Sequence, residues 1–204
     1  MLEVSNVNVY DLKESVIASG NAMRLHPVEY TDEEFEKGLV RMKRLVNASK
    51  SGNIRCHDNA LVGIRVSFDV KYPGYWTPEA QRYHFLDIVT SASKMHRLCE
   101  MDVKYSCNEY TDPRSIAVLQ EKIDAYKAIK DNEWTKTSPK YKAFMEMVSS
   151  CPMGVELFER LSTNYKQLQT IYYQRRNHKL LDDWGAFCDM IESLPYFHEL
   201  ILGE

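Results

Sequence analysis

Sulfur chemistry is thinly supplied in this chain. It has 204 residues and five cysteines, at 56, 99, 107, 151 and 188, and no two of them are spaced CxxC. An odd number without that spacing argues against a disulfide framework and a zinc knuckle, and points to reduced thiols. Nothing sets a base beside Cys99, Cys107 or Cys151, so none reads as an activated nucleophile. A basic excess is also missing. There are 26 Lys and Arg against 29 Asp and Glu, a formal net charge of −3. A general nucleic-acid binder neutralises phosphates with surplus cations, so any contact with a nucleotide has to rest on local basic residues. No apolar run approaches the ~18 residues of a membrane span. The N-terminal stretch lacks the basic and apolar regions of a secretion signal. A cytoplasmic protein is the expectation. Phosphate-binding GxxxxGK[ST] and GxGxxG loops, the GxSxG elbow and the HExxH metal helix are all absent. No internal repeat, low-complexity tract or linker divides the chain, which reads as a single domain over 1–204.

What is present is the material of a packed core, since 44 % of residues are hydrophobic, close to the globular average. Val7 and Val9 suggest a short strand within 2–10. Gly20-Asn21 marks a turn. Thr31 and Glu34 have capping-box spacing, and Phe35, Leu39, Met42 and Val46 follow at helical intervals. A helix over about 32–47 is predicted, stopped by Ser51-Gly52-Asn53. Ile64, Val66, Phe68 and Val70 alternate with Arg65, Ser67 and Asp69, the pattern of a strand with one covered face. Thr77 and Pro78 after the Tyr72–Tyr75 turn predict a helix over about 78–90, reaching as far as 98. Asp112-Pro113 repeats that start signal ahead of Ile116, Leu119, Ile123 and Tyr126. Residues 131–139 read as an exposed connection, Tyr141–Val148 as a short helix, and Val155–Leu161 as another helical piece. Helices are also predicted over 164–178 and over Leu181–Ile191, with a tail, Tyr196–Leu202, apolar enough to dock. The fold class is α+β: an α-rich domain with a small antiparallel sheet.

Two constellations carry candidate chemistry. On the predicted 78–90 helix, Gln81, His84, Ile88 and Ser91 share one face and Arg82 flanks it. An amide, an imidazole and a hydroxyl there can hydrogen-bond a planar polar ligand. Ser93 follows, and Arg97 can hold a phosphate bidentately. The second constellation, Tyr172 to Lys179, interleaves aromatics with Arg175, Arg176 and His178, a pattern that meets phosphates and stacks on rings. His57 precedes the clear strand as a ligand contact or a turn residue. His57 and His84 have no histidine at i,i+4, so no metal is expected.

The order of these residues resembles the flavin-dependent thymidylate synthases. The likeness rests on His57, the strand Val66–Val70, Gln81-Arg82-Tyr83-His84, Ser91-x-Ser93 and Arg97, then Ile171-Tyr172-Tyr173 through Asn177 and Leu180. It covers about two-thirds of the chain in element order. The resemblance implies an α+β homo-oligomer, a tetramer or dimer, with FAD between subunits, a pyrimidine nucleotide as substrate and a folate carbon donor. Carried over by motif, Arg82 lies near flavin and nucleotide, His84 stands for the motif histidine, Ser91 or Ser93 meets the nucleotide and Arg97 its phosphate. Arg175 and Arg176 join the nucleotide set, and His57, His84 and His178 the cofactor set. The motifs also depart. Arg-His-Arg is Arg82-Tyr83-His84 here, Val89-Thr90 replaces an Asn-Glu pair, and His178 replaces an arginine. Two functions are therefore carried forward. One is a flavin-dependent, thymidylate-synthase-like protein binding a pyrimidine nucleotide. The other is a non-catalytic, phage-type inhibitor module that binds a nucleotide or a protein. An all-α regulatory protein stands as a third reading, opposed by the Ile64–Val70 alternation.

Overall fold

The computed structural model describes residues 1–52 and 57–204. Cys56, and Asn53 in the expected helix stop, lie outside the described residues.

The alternating stretch forms β2, Arg65–Pro73, at the centre of a four-stranded antiparallel sheet of order β1-β2-β4-β3. Its partners are β1, Glu3–Tyr10, and β4, Glu156–Asn164, with β3, Asp87–Ser91, at the edge. Val66, Phe68, Val70 and Tyr72 are buried on one face of β2. On the other face Arg160 Nη1 meets Asp69 Oδ1 at 2.8 Å and Lys71 Nζ meets Glu156 Oε2 at 2.7 Å. The strand period of two separates the faces, and the small antiparallel sheet rules out the all-α reading.

Helices cover the apolar face. The N-cap forms as expected in α2, Asp32–Lys50, where Thr31 Oγ1 accepts from Glu34 N at 3.2 Å. The capping box is not closed, because Thr31 N donates to Glu29 O and the Glu34 carboxylate is held by Arg24 and Lys37. Phe35, Leu39, Met42 and Val46 are its buried stripe. Gly38 lets α2 approach α1, Leu12–Ala18, because a Cβ there would sit 2.8 Å from the Val16 carbonyl oxygen. Trp76, Trp184, Phe187 and Phe68 form the aromatic centre of the core, with Trp76 and Trp184 centroids 5.1 Å apart. A second cluster, including Leu98, Leu119, Ile123 and Met147, joins α5, Pro113–Ala128, to α6, Pro139–Ser149. The docked tail is present as Leu200 and Ile201, both fully buried.

Three expectations are corrected. The helix predicted over 78–90 is only α3, Thr77–Ala80, followed by turns and by β3, with α4, Lys94–Arg97, beyond. Its successor Ile88-Val89-Thr90 is a β-branched run, which loses rotamer freedom in a helix and fits a pleated sheet. Thr163, itself buried, donates from Oγ1 to the Phe85 carbonyl at 2.6 Å and draws the chain towards the sheet. The predicted shared face of Gln81, His84, Ile88 and Ser91 therefore does not exist. Val155–Leu161 is extended, not helical: Glu156–Leu161 lies within β4 and Val155 makes an isolated bridge to Cys107. The Leu181–Ile191 helix opens with a wide turn, Leu181–Gly185, before α8, Ala186–Glu192.

Candidate functional site

The segment after α3 is held by backbone turns. Tyr83 N donates to Ala80 O at 3.1 Å and Leu86 N to Tyr83 O at 3.1 Å. Tyr83 and Leu86 are buried, which leaves Arg82, His84 and Phe85 pointing outwards and exposed. Facing them is α7, Tyr165–Arg175, capped by Asn164, whose side chain accepts from Gln167 N at 2.9 Å. Gln167, Thr170 and Gln174 fall on one side of α7 by their spacing. Together these residues bound a groove of about 370 Å³. A smaller recess of about 160 Å³ continues it through Phe85, Gln167 and Thr170 to Val62, Asn164 and Lys166. Lys166 donates to the fully buried Asp58 and to Gln169 Oε1 at 3.0 Å, so its charge is already answered.

Tyr83 joins the two walls. Its hydroxyl donates to Gln174 Oε1 at 3.0 Å and accepts from Arg175 Nε at 2.7 Å. Arg175 then reaches Glu79 Oε2 through Nη1 at 2.8 Å and lies 4.7 Å from the Trp184 ring centre. The Trp184 indole N–H donates to the same Glu79 oxygen at 2.8 Å. His178 stands at the edge of this network. Its Nε2 is 3.5 Å from Glu79, and its Nδ1 accepts the Leu180 N–H at 3.3 Å.

The ten sequence-derived candidates therefore separate. Arg82, His84 and Arg175 line the groove, but Arg175 is already spent on Glu79. Gln81 and Ser91 line another recess, of about 340 Å³. Ser93 caps α4 by accepting from His96 N, and Arg97 pairs with Glu100 at 3.3 Å. Arg176 is held by Asp189 at 2.7 Å and Glu192 at 3.1 Å. His57 is exposed ahead of Asp58. Arg82 alone among the candidate arginines has a guanidinium with no ion pair or hydrogen bond among the described residues. Glu79, Gln167 and Thr170 were not singled out from the sequence, and Gln174 stood there only within the Tyr172–Lys179 run. The polar 167/170/174 spacing beside the buried Leu168 and Ile171 was the available signal.

The groove is suited to binding more than to covalent attack. Burial pushes the Cys107 and Cys151 thiols up, and the Cys188 thiol up to about 11. Such thiols stay protonated and weakly nucleophilic at neutral pH. Among the described residues no three His, Cys, Asp or Glu side chains converge as a metal site. Among the described residues no helix is long and apolar enough to cross a membrane.

The class defined by this architecture is a ThyX-like α+β fold. A crystal structure of the flavin-dependent thymidylate synthase ThyX from Helicobacter pylori, complexed with FAD and dUMP, superposes with a TM-score of 0.66 over 98 % of this chain and 97 % of that one, at 16 % identity. A second ThyX structure from H. pylori, also with FAD and dUMP, gives 0.64 over the same shares at 15 % identity. No family model and no curated protein sequence matches the chain. At this identity the likeness establishes the fold.

Proposed function

We propose that this protein is a ThyX-like nucleotide-binding protein and that the groove between residues 82–85 and α7 takes the nucleotide. The observation that carries the reading is Arg82, a guanidinium without a partner among the described residues, beside the Gln167, Thr170 and Gln174 face. A phosphate on Arg82 and a pyrimidine edge on the two amides use those groups as their hydrogen-bonding capacity allows. The structural neighbours, complexed with FAD and dUMP, support this ligand class.

FAD is the cofactor that the same likeness suggests, and the groove fits part of it. A volume of about 370 Å³ is at the small end of ligand sites and suits a mononucleotide or one half of a dinucleotide. With flavin in the groove in place of the nucleotide, Arg82 and His84 are the residues that would hold its phosphates. A bound flavin would supply the redox chemistry. This chain's own part is to bind, orient and balance charge, with Tyr83 fixing Gln174. The remainder of a dinucleotide would need a second copy, in keeping with a homo-oligomer. The half-open outer face of the sheet, with Phe158 66 % exposed, supports that assembly.

Calorimetry of the full chain against dUMP, FAD and FMN tests the reading, with the visible flavin absorbance of freshly purified protein and a sizing run beside it. Binding that Arg82→Ala weakens supports it. Bound flavin with turnover favours the enzyme. Nucleotide binding without flavin favours the non-catalytic module. No binding to any of the three, with a macromolecular partner recovered instead, overturns the nucleotide reading.

A further inference from the structure

The second recess, of about 340 Å³, lies between the end of β2, the start of α3, β3 and the 151–157 segment. Glu159 lines it. This residue is 6 % exposed and projects from the apolar side of β4, on the same face as Leu157 and Leu161. Its Oε2 accepts from the Tyr72 hydroxyl at 3.0 Å. No cation pairs with Glu159 among the described residues, and Oε1 accepts no hydrogen bond from them. The neighbouring cations are engaged on the opposite face, Arg160 by Asp69 and Lys71 by Glu156. A buried carboxylate without a counter-charge is costly, and burial pushes the Glu159 carboxyl up. An incoming cation with N–H donors would remove that cost.

The rest of the recess is consistent with such a ligand. Ile88, Met153 and Leu157 offer apolar walls. Lys94, which has no carboxylate partner among the described residues, also lines it, close enough to Cys151 for its charge to pull that thiol down against burial. The recess thus offers a carboxyl without a counter-charge, an ammonium without a carboxylate partner among the described residues, and apolar walls.

We propose that this recess binds a guanidino or amidino acid, with its guanidinium or amidinium on Glu159, its methylenes against Ile88 and Leu157, and its carboxylate on Lys94. A guanidinium matches a carboxylate with two parallel N–H donors. The site is distinct from the Arg82 groove and does not depend on the nucleotide reading.

Calorimetry of the full chain with L-arginine and with agmatine, which lacks the carboxylate, tests the assignment. L-arginine is expected to bind more tightly than agmatine. Glu159→Gln should weaken both by about tenfold or more, as loss of a charge-assisted pair does. Lys94→Met should erase the preference for L-arginine. Bound L-arginine should also slow alkylation of Cys151, read on its peptide by mass spectrometry. Arg82→Ala should leave all of this unchanged, which separates the site from the nucleotide groove. Glu159→Gln keeps the shape of the side chain and removes an unpaired buried charge, so its thermal midpoint should not fall, and that midpoint is measured alongside. Absence of binding by both compounds, or an affinity that Glu159→Gln leaves intact, overturns the proposal.

Discussion

Arg175 donates to Glu79 at 2.8 Å across 96 residues of sequence. The same carboxylate oxygen holds the Trp184 indole at 2.8 Å. The two charged side chains are 13 % and 29 % exposed, so this is not a solvent-screened surface pair. Glu79→Ala strands a guanidinium and an indole N–H together. Loss of about 2–4 kcal/mol of stability is expected, read as a lower urea midpoint with an unchanged slope. A midpoint within error of the parent would show that Arg175 finds water as readily as Glu79.

Arg82 and Arg176 should behave as opposites. Arg82→Ala removes the unpaired guanidinium in the groove and should weaken nucleotide binding about tenfold, with no change in thermal midpoint. Arg176→Ala breaks its pairs with Asp189 and Glu192, half-exposed contacts that contribute about 0–1 kcal/mol, and should leave nucleotide affinity unchanged. The two variants titrated side by side with dUMP check both halves. Equal losses would place the phosphate between them and contradict the groove.

The pattern of legibility follows from what each residue does. Periodicity revealed β2 and α2 because their buried faces are purely apolar, Val66-Phe68-Val70 and Phe35-Leu39-Met42-Val46. It failed at β4, where Glu159 occupies a core-facing position between Leu157 and Leu161 and hides the alternation. It failed again after α3. Pro78 announces a helix, and the β-branched run that ends it competes through tertiary pairing with β4. At the candidate site, residue types were visible but their commitments were not. Arg175 and Arg176 look alike in sequence as phosphate ligands, yet Glu79, Asp189 and Glu192 claim them from other parts of the chain. Long-range ion pairs leave no local signature.

Asn164 links the sheet to the groove. It is 2 % exposed, ends β4 and caps α7 by accepting from Gln167 N at 2.9 Å. Asn164→Ala leaves that N–H without its cap and should cost about 1–2 kcal/mol. Because Gln167 lines the groove, nucleotide affinity should fall too. Asn164→Asp preserves the acceptor and should recover most of both in a paired denaturation and binding series.

Glu159 supplies the pH-dependent case. Burial raises its carboxyl above the ordinary 4.5, so the folded state holds a proton that the unfolded state has already released. Between the ordinary value and the raised one, folding therefore takes up a proton, and stability falls as pH rises through that window. Above the raised value the whole cost is present, and below the ordinary value it vanishes because both states are protonated. Glu159→Gln removes the titration while keeping an acceptor for Tyr72. The variant should be more stable than the parent by about 1–2 kcal/mol at neutral pH, and the gap should close as pH is lowered towards 4.5. Asp183, also buried with its carboxyl pushed up, titrates in both proteins and cancels in the difference. So do Asp69 and Asp112, held low by Asn6 and Arg160 in one case and by Arg114 in the other. Urea denaturation of both proteins across the acid range measures the difference directly. A gap that stays constant with pH would mean that Glu159 titrates alike in the folded and unfolded states, and one that widens towards acid would mean that a cation already answers it.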